Sequence, residues 1–308
     1  SSKVCSVWSI PVNLGQPLLG PDKAPGLLRD AGMTDLLSSC GWRVAIQPAF
    51  KAATASQTAH EIPTAKNIDQ IGRTCEDICS TMSGYISENP DDFHLILGGD
   101  HCIPIGTIPA LVSKRPNTGV IWVDAHADIN TPAGTSSGNV HGMPVAFLLG
   151  LIENTNQLPS FGWHKPVLKP EDIVYIGLRD VDTPERETIK RLGIKAFSMH
   201  DIDRYGIGAV MDKTLEHLAN KDNIHVSYDI DALDPFYAPA TGTAVRGGLT
   251  FREGNFICES VFATGKLTSF ELVEVNPTVS SQLHIGASND TVEMAMTLIG
   301  SAMGKSIL

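Results

Sequence analysis

Two kinds of apolar pattern alternate along the chain. Short runs rich in Val, Ile and Leu fall at residues 43–46, 94–97, 119–123, 173–176, 224–228 and 268–273. Between them, apolar positions three and four apart predict helices at 24–30, 67–87, 105–113, 143–149, 184–192, 207–219 and 290–302. A run such as Val120-Ile121-Trp122-Val123 has no polar position to turn toward water. Strands of that kind are buried on both faces, as in parallel sheets covered by helices. The repeated strand–helix alternation therefore predicts an α/β fold with helices on both sides of a parallel sheet. No low-complexity linker and no internal repeat divides the chain, so residues 1–308 read as a single domain.

The polar positions that matter lie where the apolar runs stop. Gly119-Val120-Ile121-Trp122-Val123 is followed by Asp124-Ala125-His126-Ala127-Asp128. Ile224-His225-Val226-Ser227-Tyr228 is followed by Asp229-Ile230-Asp231. Leu95-Ile96-Leu97-Gly98-Gly99-Asp100 is followed by His101. Side chains two apart on a strand point the same way, so Asp124, His126 and Asp128 share a side if extended backbone persists to Asp128, as do Asp229 and Asp231. Four carboxylates brought together in a core repel one another unless cations join them. Six ligands of this kind, oxygen-rich with some imidazole and no thiolate, suit two manganese ions better than one structural zinc. Taken singly, each Asp could be a helix cap and each His a structural residue; it is their joint placement at strand ends that points to metal. Two irregular segments, 130–142 and 234–248, also begin at these ends, where open parallel sheets bind their ligands.

Composition narrows the partners. The chain has 308 residues, 42% of them hydrophobic, enough for a full core. Its formal net charge is −11 with no clustered run of Lys and Arg, which argues against nucleic acid as a partner. Six cysteines, Cys5, Cys40, Cys75, Cys79, Cys102 and Cys258, are too sparse for a disulfide framework and read as reduced. No apolar run is long enough to span a membrane and no leader-like segment is visible, so no membrane partner and a cytoplasmic location are expected; Ser1 at the first position leaves a removed presequence open.

The segments Gly98-Gly99-Asp100-His101, Asp124-Ala125-His126-Ala127-Asp128 and Ser227-Tyr228-Asp229-Ile230-Asp231-Ala232-Leu233-Asp234-Pro235 resemble the three signatures of the ureohydrolase family, most closely its arginase branch. The likeness runs from about Val7 to about Leu298. It implies a three-layer α/β/α fold of the arginase/deacetylase kind with a central eight-stranded parallel sheet, two Mn²⁺ per subunit and a homotrimer. One ion would take His101, Asp124, Asp128 and Asp231, and the other His126, Asp124, Asp229 and Asp231. The implied reaction is hydrolysis of L-arginine to L-ornithine and urea by a hydroxide bridging the two ions, for a urea cycle or for polyamine synthesis. Asp128 would orient that nucleophile and move its proton, Glu274 would pair with the substrate guanidinium, and His141 would carry protons to and from solvent.

The metal signatures do not separate arginine from other guanidino substrates. Agmatine lacks the α-carboxylate, so an arginine enzyme needs neutral donors for that group. By the resemblance, Asn130, Thr135, Ser137 and Asn139 serve the α-carboxylate, Asp182 and Glu185 the α-amino group, and Thr243 also contacts substrate. Agmatinase or another guanidino hydrolase is the alternative, with an inactive binding protein of the same fold behind it. Four departures from the family pattern stand out: a shortened segment at 14–21, Cys102 in place of the usual Ser, Ala232 in place of Gly, and Glu271 in place of Asp. They raise the expectation of an altered N-terminal loop, a thiol beside a ligand, a shifted ligand turn and altered support behind the metals.

Overall fold

The computed structural model describes residues 3–56, 62–279 and 286–305. Its sheet contains β1 (Val4–Ile10), β2 (Arg43–Ile46), β3 (Phe93–Gly98), β4 (Thr118–Val123), β5 (Ile173–Leu178), β6 (Lys195–Ser198), β7 (Asn223–Asp229) and β8 (Leu267–Val273). The order is β2-β1-β3-β8-β7-β4-β5-β6, and every pairing is parallel. The helices are α1 (Ala24–Asp30), α2 (Met33–Ser39), α3 (Ile68–Glu88), α4 (Pro104–Lys114), α5 (Pro144–Leu149), α6 (Thr183–Leu192), α7 (Met199–His217), α8 (Phe251–Ala263) and α9 (Ala287–Ala302).

Strand alternation builds two cores from one sheet. In β4, Ile121 and Val123 join a cluster with Leu28 of α1, Leu37 of α2, Val210 of α7, Ile257 of α8 and Leu298 of α9. Val120 and Trp122 point to the opposite face, among Ile71 of α3, Ile105 of α4 and Phe147 of α5. The predicted three layers and eight strands are therefore present. Full burial of each such side chain contributes about 1.5–3 kcal/mol, which the two-sided sheet collects on both faces.

The topology puts the site in the middle. β3 and β4 are consecutive in sequence but separated in the sheet by β8 and β7. Crevices form at such reversals, just beyond the C-terminal strand ends. Register aligns those ends: Tyr228 pairs with both Val123 and Leu272, and Leu97 pairs with Leu272.

The pattern missed β1, β6, α2 and α8. β1 carries Ser6 and Ser9 within its apolar run, yet both are buried, and Ser6 Oγ donates to Asp92 Oδ2 at 2.7 Å. β6 is a four-residue strand at the sheet edge. Gly254 interrupts the helical pattern of α8 because a side chain there would strike Tyr228 and Leu233. A readable start signal was present all the same: Thr250 N donates to Glu253 Oε2 at 2.8 Å and Glu253 N to Thr250 Oγ1 at 3.3 Å, a capping box. α7 begins earlier than predicted, at Met199, and passes Gly206 at φ 76°.

Candidate metal centre

Six polar side chains converge at the ends of β3, β4 and β7. His101 Nδ1 lies 3.1 Å from Asp124 Oδ2, 3.0 Å from Asp128 Oδ2 and 3.2 Å from Asp229 Oδ2. His126 Nδ1 lies 3.4 Å from Asp124 Oδ1 and 3.2 Å from Asp231 Oδ2. Among the described residues these form two groups that could each hold a metal ion, His101–Asp124–Asp229 and His126–Asp124–Asp231, with Asp124 in both. His101 Nδ1 is buried and has no hydrogen-bond partner, although three carboxylate oxygens surround it. A lone pair aimed at a set of carboxylates without a hydrogen bond fits a shared cation, and the donor set suits a hard divalent ion.

The residues meet by a route that simple alternation does not describe. β4 ends at Val123, and Asp128 sits in left-handed backbone at φ 50°. Asp231 lies in a 3-10 turn, Ile230–Ala232, with its N–H donating to Asp229 Oδ1 at 2.8 Å. The extended backbone expected through Asp128 is absent; turns turn the side chains inward instead. The pairing also differs from the one the resemblance implied. Asp229, not Asp231, stands beside His101, whereas Asp231 stands beside His126 as the resemblance implied. Glu274 too has positive φ, 64°. Such backbone costs on the order of 1 kcal/mol for a non-glycine residue, and two of the five instances among the described residues flank one site.

A layer of partners holds each ligand. The Trp122 indole N–H donates to Asp124 Oδ2 at 3.0 Å, and its ring stacks on His101 at 4.2 Å between centroids. His101 Nε2 is 2.9 Å from Ser227 Oγ, which donates to Glu271 Oε1 at 3.0 Å; Thr107 Oγ1 donates to Glu271 Oε2 at 2.7 Å. With both hydroxyls donating to Glu271, Ser227 Oγ is left to accept from His101 Nε2–H, and Nδ1 keeps its lone pair for the carboxylate side. Thr243 Oγ1 donates to Asp231 Oδ2 at 2.8 Å. Trp122, Ser227 and Asp180, whose Oδ2 is 3.7 Å from His126 Nε2, were missed by sequence reasoning. Trp122 was legible: it lies two residues before Asp124, on the same side of the strand end.

Without a cation the charges are poorly matched. Burial acts against a charge on His101, but the neighbouring carboxylates outweigh it and hold the imidazole well above its ordinary range. Burial and the nearby Asp124 raise Asp128 to about 7. Burial and then Asp231 and Asp124 push Asp229 well up. His141 is raised to about 9: burial opposes its charge, and the bond from Nδ1 to Glu274 Oε1, 3.0 Å, prevails. Glu274 Oε1 also accepts from His101 N at 2.9 Å, linking the histidine over the pocket to the ligand loop.

A cavity of about 110 Å³ opens beside the ligands, lined by His126, Asp128, Asp229, Asn130, His141, Gly142, Asp180, Asp182, Glu185 and Thr243. Asn130 Nδ2 donates to Asp182 Oδ2 at 3.1 Å. Glu185 Oε1 and Oε2 accept from Ile129 N and Asp182 N, and burial raises its carboxyl to about 7. Glu274 is buried against His141 and is not among the lining residues. Thr135, Ser137 and Asn139 also stand outside it. Their loop is folded on itself: Thr135 Oγ1 accepts from Ser137 N and Gly138 N, Ser137 Oγ from Asn139 N, and Asn139 Oδ1 from Lys66 Nζ at 3.4 Å.

The departures from the family pattern have local explanations. Gly15 N donates to Asp100 Oδ2 at 2.8 Å, and Gly15 O accepts from His141 N at 3.0 Å, so the short N-terminal loop is tied to the site. A side chain at Gly15 would strike Asp100 and Cys102. The Cys102 thiol is buried and pushed well up, first by burial and then by Asp100, which keeps it protonated and inert. Glu271 reaches both Ser227 and Thr107.

Known proteins of one family resemble this chain along nearly its whole length. The model of the arginase family matches residues 3–304. The arginase of Neurospora crassa is 45% identical over 304 residues, covering 96% of this chain and 84% of that protein. Arginase-1 of Rattus norvegicus is 40% identical over 299 residues, covering 96% and 92%. The native structure of Bacillus caldovelox arginase superposes with a TM-score of 0.90 at 35% identity, covering 99% of this chain and all of that one.

Proposed function

The chain belongs to the arginase family, whose members hydrolyse the amidine bond of arginine, and from that premise we propose that His101, Asp124, His126, Asp128, Asp229 and Asp231 hold two Mn²⁺ ions per chain and that L-arginine occupies the cavity beside them. The observation that carries the two-ion reading is the pair of ligand groups sharing Asp124. We assign His101, Asp124, Asp128 and Asp229 to one ion and His126, Asp124 and Asp231 to the other. When bound, the ions lower the pKa of water enough to provide a nucleophile near neutral pH.

The side chains of the chain do the rest. Asp128, at the cavity wall and in strained backbone, is positioned to accept the proton of the attacking water and deliver it to the leaving amine. Glu274 supplies the carboxylate that fixes the planar guanidinium, and through Oε1 it holds His141 over the cavity. His141 exchanges the proton with solvent. The α-amino group meets Asp182 and, through water, Glu185; the α-carboxylate meets Asn130 and the loop residues Thr135, Ser137 and Asn139, with Thr243 steadying Asp231. A homotrimer completes the proposal, with light scattering as its check. Among the described residues no helix is long and apolar enough to cross a membrane.

The test is urea release from arginine and from agmatine by the same preparation, after Mn²⁺ loading and after chelation. Arginine is expected to be turned over with the higher kcat/KM, and chelation to abolish both activities. Preference for agmatine would overturn the substrate assignment, and activity surviving chelation would overturn the metal assignment.

A further inference from the structure

Arg179 follows β5 and is absent from the cavity lining, so it has no part in the chemistry above. Its guanidinium nevertheless reaches five backbone carbonyls. Nη2 donates to Asp231 O at 2.6 Å, Leu233 O at 3.3 Å and Val245 O at 2.8 Å; Nη1 donates to Ala232 O at 3.1 Å and Gly177 O at 3.3 Å; Nε donates to Val245 O at 3.1 Å. Three of these carbonyls are consecutive in the turn that carries Asp231. Another belongs to the strap that carries Thr243, the hydroxyl bonded to Asp231.

The strap is held from its other side as well. Asp234 Oδ2 accepts from Gly247 N at 2.7 Å and Gly248 N at 3.1 Å. Asp234 N donates to Leu249 O, and Leu249 N to Ala232 O, both at 2.9 Å. A side chain at Gly248 would come within 2.5 Å of Arg179 Nη2, so the strap lies directly on the guanidinium. Backbone carbonyls turned toward one point around a carboxylate ligand require a donor with several N–H groups in a plane, which an arginine supplies and a lysine does not. By contrast, among the described residues no arginine donates to the backbone around His101, whose side-chain supports are Trp122 and Ser227, the latter backed by Glu271.

We propose that Arg179 is a positioning residue for the His126–Asp231 half of the metal centre, holding the turn 231–233 and the strap 243–248 in their metal-ready arrangement before any ion binds. This rests on the two-ion reading above. Arg179 organises the turn of the second ion's ligand without touching ion or substrate, and the first ion's Asp229 meets that turn only through the bond from Asp231 N, so the effect falls chiefly on the His126–Asp231 half.

The experiment is calorimetric titration of metal-free protein with Mn²⁺, for the wild type and for Arg179→Lys. The wild type is expected to take two ions in two steps. Arg179→Lys is expected to keep one step at its original affinity and to weaken the other about 10- to 100-fold, the range for loss of a residue that orients a ligand. Two unchanged steps, or two steps weakened alike, would overturn the assignment to Arg179 while leaving two ions in place. A wild type that takes fewer than two ions would overturn the two-ion reading and this inference with it. Amide hydrogen exchange on the metal-free wild type decides the matter even if the variant fails to fold. The amides of Asp234, Gly247, Gly248 and Leu249 are expected to be protected before metal is added; protection that appears only on Mn²⁺ loading would refute a preformed clasp.

Discussion

His94, His101 and His164 are all buried, yet they stand on opposite sides of neutrality. Burial lowers His94 to about 3, with the Arg115 charge adding to it, and lowers His164 to about 4. His164 sits among the rings of Phe147, Phe161 and Trp163, and neither ring nitrogen has a hydrogen-bond partner. His94 accepts from Trp8 Nε1 at 3.3 Å through Nδ1, which suits a neutral ring. His101 is as buried as His94, but carboxylates lie at 3.0–3.2 Å and its proton affinity rises. Burial penalises any charge; the partners decide whether the penalty prevails. The comparison separates a histidine that fills a core from one that serves a site, which residue type alone does not do.

The largest expected effect comes from removing the carboxylate common to both ligand groups. Asp124→Asn should lose metal in a direct assay and lower kcat/KM by about a thousandfold or more, the scale of several kcal/mol of lost transition-state stabilisation. Full metal content and activity in this variant would erase the distinction between His101 and the core histidines. His141→Ala tests a histidine at the border of the two classes, half-buried at the cavity wall with a carboxylate partner. A drop of about 100-fold in kcat, with metal content unchanged and partial rescue by added imidazole, would fit a proton carrier. Loss of metal instead would place it among the ligands' supports.

The core histidines predict a pH effect on stability. The unfolded chain's histidine takes a proton as pH falls through about 6.5, whereas folded His164 does so only near 4. Between these values the unfolded state binds more protons, so stability present above 6.5 is lost as pH falls. The loss is on the order of 2 kcal/mol. His164→Phe should therefore flatten the fall in Tm of metal-free protein between pH 7 and 4.5 relative to wild type; parallel curves would mean that His164 is charged in the fold. The smallest effect is expected from Asn139→Ala, which should raise KM for arginine about fivefold with kcat almost unchanged, the loss of one hydrogen bond to a charged group at an accessible position. An unchanged KM would mean that the loop stays folded on itself, outside the cavity, when substrate binds.

Much of the site was legible in the chain because its parts are local. Asp124-Ala125-His126-Ala127-Asp128, Asp229-Ile230-Asp231 and His101 each follow an apolar run, and the metal-ligand chemistry of those residue types needs no fold to be recognised. Of the six strands that were found, β4 and β5 are almost continuously apolar, while β7 and β8 carry His225, Ser227, Ser269 and Glu271 much as the missed β1 carries Ser6 and Ser9; β6 is short and at the edge. The loop at 130–142 was less legible. Ser and Asn there make bonds within the loop, and nothing in their spacing says how far they stand from the cavity.

By itself, then, the sequence determined the α/β layering and the places of six Asp and His side chains just beyond the strands, because periodicity and side-chain chemistry are properties of neighbouring residues. The tertiary structure decided which carboxylate meets which imidazole, since Asp229 and Asp231 are sorted between His101 and His126 by sheet order and a 3-10 turn. It also decided which buried histidines meet carboxylates and that one guanidinium spans five carbonyls around the turn at Asp231. Those outcomes depend on distances between residues far apart in the chain, and only packing sets such distances.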